Sequence, residues 1–167
     1  MRLLSQRGYS IGELRAKLAA RAETSAGLNE VMAKLKEYKL VDDKKFAEVY
    51  ATSRRENENF GKLRILRELR ARKVTQAVAE RAVSRVFSNV GEETLAAAHL
   101  ERKYRGRNLT EFLQDESHLA AAFRRLRRAG FSAPASIGVL KRFSERASEL
   151  ESLPDEPEPE EAAVEPE

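Results

Sequence analysis

The sequence predicts an all-α protein: an elongated, curved array of three tandem three-helix repeats, followed by a disordered acidic tail. Three observations carry this. Breakers are sparse in the body, Pro134 being the only proline before residue 150, and the runs between them are rich in Ala, Leu, Arg, Lys and Glu, which favour helix. No stretch alternates apolar and polar residues with β-branched side chains as a strand would. An internal repeat also runs through the body at offsets of 51 and 57 residues.

The elements follow from caps and breakers. Ser10 precedes Ile11 with Glu13 three positions on, a capping-box spacing that satisfies two free backbone donors reciprocally. Asp42 caps the helix through VDDKKFAEVYATSRR, and Thr75 caps the one through TQAVAERAVSRVF. Asn108 or Thr110 opens the segment leading into HLAAAFRRLRRAGF. Gly8, Gly61, Gly91, Gly106 and Gly130 fall between these runs or at their ends, where turns and C-caps require them.

The repeat is read from two helices. Leu14–Ala22 shifted by 51 lands on Ile65–Lys73, and a further 57 lands on Ala122–Gly130, so that Leu18, Leu69 and Leu126 correspond. The same offsets relate Val31-Met32 with Leu35 to Ala82-Val83 with Val86, then to Val139-Leu140 with Phe143. A preceding helix recurs more weakly at Leu3-Leu4, Tyr50-Ala51 and His99-Leu100. The repeats are therefore placed at 1–40, 41–88 and 89–150, with the tail at 151–167. Each is too small to bury a full core, so stacking on a neighbour supplies the missing burial. The period is longer than that of tetratricopeptide, ankyrin, armadillo or HEAT repeats.

Charge divides the chain. Its 167 residues carry a net +4, but from Glu151 onward there are eight acids, four of the five prolines and no Lys or Arg. Residues 1–150 hold 31 basic against 19 acidic side chains, a net +12. A Pro/Glu tail buries too little apolar surface to offset its ordering entropy. Tethered to a basic body, it is expected to fold back and compete for the body's basic surface.

Composition excludes several classes. Without cysteine there is no disulfide scaffold, Cys-ligated zinc, iron–sulfur cluster or thiol nucleophile. No apolar run approaches the ~20 residues of a membrane span, and the opening MRLLSQRGYS falls short of a secretory signal. A soluble, cytoplasmic protein without membrane contact is expected.

On a helical wheel at ~100° per residue, Ile65, Leu66 and Leu69 share one arc, and Arg64, Arg67 and Arg70 gather opposite. In the third repeat Leu119, Ala122, Phe123 and Leu126 oppose Arg124, Arg125 and Arg128, with Arg127 at the edge. The first repeat offers the weaker set Arg15, Lys17 and Arg21. Charges opposite an apolar arc are also what any solvated helix face shows. Their clustering in a +12 body points to a polyanionic partner, and arginine suits bidentate contact with phosphate or carboxylate. Phe46, Phe87, Phe123 and Phe143 read as core, whereas Tyr50, Phe60 and Tyr104 stand between core and base stacking.

No catalytic, cofactor-binding or metal-binding residues are identified. His99 and His118, the two histidines, are 19 residues apart and lack a second ligand at helical spacing. Asp42-Asp43 and Glu92-Glu93 each open a helix, where the dipole already favours acids. There is no Gly-rich phosphate loop and no G-x-S-x-G. An enzyme is not expected.

The segments LLSQRGYSIGELRAKLAAR, VDDKKFAEVYATSRR, FGKLRILRELRARKV and RRLRRAGFS resemble the successive motifs of the RecX family, bacterial modulators of the RecA recombinase. The most specific parts are L-V-D-D-x-x-F-A at Leu40–Ala47 and F-G-x-x-R-I-x-x-E-L at Phe60–Leu69. The resemblance implies three tandem three-helix repeats without enzymatic activity or cofactors. It implies binding as a monomer in the groove of the RecA–single-stranded-DNA filament, inhibition of ATP hydrolysis and strand exchange, and a place in recombination, DNA repair and the SOS response. The chain departs from the family in reading Arg-Ala-Gly-Phe at Arg128–Phe131 where Arg-Gly-Phe is usual, and its acidic tail lies outside the family core. Two alternatives stand beside this. One is direct DNA binding through helix-turn-helix-like units, although LNEVMAKLKEY lacks the polar face of a recognition helix. The other is a helical scaffold for an unrelated acidic protein.

Overall fold

The computed structural model describes residues 8–152. The helices are α1 (Ile11–Ala19), α2 (Ser25–Glu37), α3 (Asp43–Glu58), α4 (Lys62–Ala71), α5 (Gln76–Val86), α6 (Glu92–Lys103), α7 (Leu109–Phe112), α8 (Glu116–Arg128) and α9 (Ala133–Leu140). A 3-10 helix closes the described chain at Glu145–Ser152, and no strand occurs among the described residues. The expected helix through Leu3-Leu4 lies outside the described residues. So does the expected tail, except Glu151 and Ser152, which finish the 3-10 helix and place Glu151 2.7 Å from Lys141 Nζ.

Ser10 and Glu13 form the anticipated capping box, and Asp42 accepts from the Lys44 and Lys45 amides. Thr75 occupies the N-cap of α5 without a side-chain bond. The opening of α8 corrects the sequence reading. Asn108 caps only the four-residue α7, the chain turns again, and Asp115 caps α8 through the His118 amide at 3.0 Å.

The repeat is visible in the helix starts. The 51-residue offset carries Ile11 to Lys62 and Ser25 to Gln76, and the 57-residue offset carries Gln76 to Ala133. Thr24, Thr75 and Ser132 are thus equivalent N-caps. Leu14, Ile65 and Ala122 are all buried, as are Met32, Val83 and Leu140. Leu18 is only half-buried and Val31 is exposed, whereas their counterparts in the other units are buried. The described part of the first unit has two helices to cover them rather than three. Buried side chains form three clusters, one per unit, around Leu14 and Met32, around Ile65, Leu69 and Val83, and around Leu126, Phe131 and Leu140.

Consecutive units are joined by the same device used twice. The start of α4 meets the end of α8: Gly61 N–H donates to Ala129 O at 2.8 Å, and Leu63 N–H to Gly130 O at 3.1 Å. Carbonyls at a helix C-terminus thereby satisfy free donors at a helix N-terminus, the favourable pairing of the two dipoles. The start of α1 meets the end of α4 at the equivalent positions, where Ser10 Oγ donates to Arg72 O. Both approaches require glycine. A Cβ on Gly61 would fall on the Gly130 carbonyl and lie 2.7 Å from the Phe131 nitrogen, and one on Gly12 would lie 2.7 Å from the Lys73 carbonyl oxygen. Arg72 locks the first junction, with Nε 3.0 Å from Glu13 Oε1 and Nη2 3.2 Å from both Glu13 Oε2 and Gly8 O. At the second junction His99 is buried between Phe60 and Phe131, ring centroids 6.3 and 5.9 Å away, and its Nδ1–H donates to Glu58 O at 3.3 Å. Burial holds the His99 pKa below the ordinary histidine value.

Candidate nucleic-acid and partner interface

The basic residues singled out in the sequence lie on α1, α4 and α8, or in the case of Arg21 just past the end of α1, and these helices are joined end to start through the two junctions. Their side chains are not equally available. On α8, Arg124, Arg125 and Arg128 are exposed, and Arg125 lies with its guanidinium 5.5 Å from the Tyr104 ring centroid. Arg127 is half-buried and donates to Phe131 O at 2.8 Å, which fixes the turn after α8.

On α4 the expected trio reduces to one. Arg70 is exposed, but Arg64 and Arg67 are half-buried. Arg64 is held 3.0 Å from Glu68 and stacks 3.9 Å from the centroid of Phe60. Glu68 also takes the Tyr50 hydroxyl at 2.8 Å and lies 3.1 Å from Arg54 Nε. Burial raises the pKa of the Tyr50 phenol in that network. The helical wheel missed this because Glu68 stands one turn from Arg64 on the same flank, and because Phe60 lies before the helix begins.

On α1, Arg15 donates to Asn29 Oδ1 at 2.6 Å and Lys17 Nζ to the Tyr9 hydroxyl at 3.2 Å, both remaining exposed, and Arg21, just past the helix, is exposed as well. The offsets do not superimpose the basic faces. Arg67 corresponds to Arg124 and Arg70 to Arg127, but Arg64 corresponds to Ala121 and Arg125 to Glu68. Of the residues singled out, Arg124, Arg125 and Arg128 on α8, Arg70 on α4, Arg15 and Lys17 on α1, and Arg21 just after α1 are exposed, whereas Arg64, Arg67 and Arg127 are half-buried.

Phe46, Phe123 and Phe143 are half-buried against the cores, as expected, and Phe87 and Phe60 are buried. Phe131, the largest fully buried side chain, was not singled out in the sequence because it lies in a turn rather than on an amphipathic helix. Arg72 was likewise missed, as its role depends on a neighbouring unit. A cleft of about 490 Å³ opens beside it between the first and second units, lined by Leu40, Val41, Phe46, Val49 and Tyr50. Among the described residues no three His, Asp or Glu side chains gather to hold a metal ion, and no helix is long and apolar enough to cross a membrane.

Comparison with known proteins fits this architecture. Residues 42–83, covering α3, α4 and most of α5, match the family model described as RecX, second three-helix domain. Over 105 residues the chain is 35% identical to the Regulatory protein RecX of Halorhodospira halophila, which is 63% of this chain and 62% of that relative. It is 28% identical over 157 residues to the Regulatory protein RecX of Streptomyces coelicolor, which is 93% of this chain and 81% of the relative. The alignments thus span less than two thirds of the first relatives' length. The crystal structure of RecX from Lactobacillus salivarius superposes with a TM-score of 0.68 at 18% identity, covering 85% of this chain and 90% of that one. Family model and relatives agree in their likeness to RecX proteins, and the fold is similar to that of a solved RecX structure.

Proposed function

We propose that this protein regulates a RecA-type recombinase, binding in the groove of its filament on single-stranded DNA and restraining ATP hydrolysis and strand exchange. It acts by binding alone, as a cytoplasmic monomer, in recombination and repair. The observation that carries the reading is the match of residues 42–83 to the family model of the RecX second three-helix domain, in a segment set between two junctions that fix its neighbours. Units held at defined spacing can contact several recombinase protomers at once, gaining by multivalency what each contact lacks. Bridging protomers in this way resists the relative movement that hydrolysis requires of them. The exposed cations Arg124, Arg125 and Arg128, with Arg70 and Arg21, face the phosphates and acidic side chains of the groove.

A gel shift on single-stranded DNA with and without a RecA-type recombinase tests this. The protein is expected to supershift the filament at concentrations where naked DNA is only weakly retarded. Equal retardation of filament and naked DNA overturns the proposal in favour of a plain DNA-binding protein, and no retardation of either favours a scaffold for another partner.

A further inference from the structure

The end of α6 and the turn after it hold four cations in six residues, Arg102-Lys103-Tyr104-Arg105-Gly106-Arg107, of which Arg102 is taken up by Asn57 O and Glu58. Gly106 at φ 82° reverses the chain, and the Arg107 amide donates to Tyr104 O at 3.0 Å. That reversal brings the Arg107 guanidinium to 4.9 Å from the centroid of Phe112. The ring of His118 stacks on Phe112, centroids 4.0 Å apart and planes 13° apart, and Tyr104 is tilted against Phe112 at 5.2 Å. His118 Nδ1–H donates to Phe112 O at 3.3 Å, which fixes the ring's orientation. The stack is a surface feature, since the His118 side chain is 48% exposed and Tyr104 and Phe112 are only half-buried. On α8, His118 lies on one stripe with Ala121, Arg125 and Arg128, at helical spacings of three, seven and ten. Of the acids at the start of α8, Asp115 accepts from the Ser117 hydroxyl and the His118 amide, and Glu116 is held by Arg146 at 2.9 Å.

We propose that this turn and ring stack form a binding site for single-stranded nucleic acid, in which a base stacks on His118 and Arg105, Arg107 and Arg125 hold the flanking phosphates. An aromatic face bordered by cations is the arrangement that holds unpaired bases with little regard to sequence. A duplex cannot use it, because its bases are already stacked on one another. The inference deepens the nucleic-acid side of the proposed function, and its test contains no recombinase, so the two stand or fall separately.

The experiment is fluorescence anisotropy of the full chain with labelled oligothymidylate and with a duplex of the same length, across a salt series. The wild type is expected to favour the single strand. His118→Ala should weaken that binding by about 5- to 150-fold, the range for loss of one stacked base, and leave the salt slope unchanged. His118→Phe should restore it. Arg105→Ala combined with Arg107→Ala should instead flatten the slope by about 1.4, since each phosphate contact on a single strand contributes about 0.7. Wild-type affinity in His118→Ala, equal binding of duplex and single strand, or no binding by the wild type overturns the proposal.

Discussion

Gly61 is where the account of the array is most exposed to refutation, because two physical arguments give opposite signs for one substitution. Gly61 has φ −76°, a conformation alanine adopts freely. Considered by itself, Gly61→Ala restricts the unfolded chain and stabilises by about 0.4–1 kcal/mol. The junction reverses this. The new Cβ would fall on the Gly130 carbonyl and 2.7 Å from the Phe131 nitrogen, both backbone atoms that no side-chain rotation can move aside. Relief requires the second and third units to separate, losing the hydrogen bonds from Gly61 to Ala129 and from Leu63 to Gly130, at roughly 1 kcal/mol each. Overpacking against fixed neighbours adds about 1–3 kcal/mol. The net expectation is a destabilisation of about 3 kcal/mol, which lowers Tm by roughly 6–12 °C in a chain of this size. Gly106→Ala is the comparison, since its φ is +82° but no atom lies within 4 Å of the added Cβ. It should cost only the left-handed strain, about 1–2 kcal/mol. Urea and thermal unfolding followed by circular dichroism measure both. A neutral or stabilising Gly61→Ala would refute the junction.

Three further expectations follow from the same contacts. Because burial holds the folded His99 pKa below its unfolded value of 6.5, its contribution to stability is fully present above pH 6.5 and is lost as pH falls through the folded pKa; His99→Phe should remove that part of the slope in urea unfolding between pH 7.5 and about 5. Arg72→Ala should cost about 3 kcal/mol, because it removes the guanidinium paired with the Glu13 carboxylate, whose side chain is 16% exposed, at the first junction; denaturant unfolding checks it, and a loss under 1 kcal/mol would contradict the clamp. Removing residues 153–167 should tighten binding to single-stranded DNA at low salt, an advantage that shrinks as the Debye length falls from ~10 Å at 0.1 M to ~3 Å at 1 M; equal affinities at low salt would mean the tail does not compete.

The helices and their repetition were legible in the sequence because both are local. Capping boxes, breakers and the apolar spacing around each of Leu14, Ile65 and Ala122 depend on residues within one or two turns, and the repeat is found by matching those local patterns at offsets of 51 and 57. What joins the units was not legible. Ser10 meets Arg72, and Gly61 meets Gly130, across 62 and 69 residues, and glycine reads in sequence as a turn former rather than as a site of close approach. The basic faces were legible as composition but not as availability. Arg64 and Arg70 look alike on a wheel, yet one is taken up by Glu68 and Phe60 while the other is exposed. The ring stack escaped for a related reason. Tyr104, Phe112 and His118 lie on three different helical segments or their ends, and their proximity is a product of the turn at Gly106.

The central claim is regulation of a recombinase filament, and its most direct test is the rate of ATP hydrolysis by RecA on single-stranded DNA as this protein is titrated in. The wild type should suppress hydrolysis progressively to a plateau. The variant carrying Arg70→Ala, Arg124→Ala and Arg128→Ala should lose most of that suppression while its melt stays within about 0.5 kcal/mol of wild type, as expected for exposed side chains. Hydrolysis unaffected by saturating wild-type protein would contradict the account, and full suppression by the triple variant would remove these arginines from it.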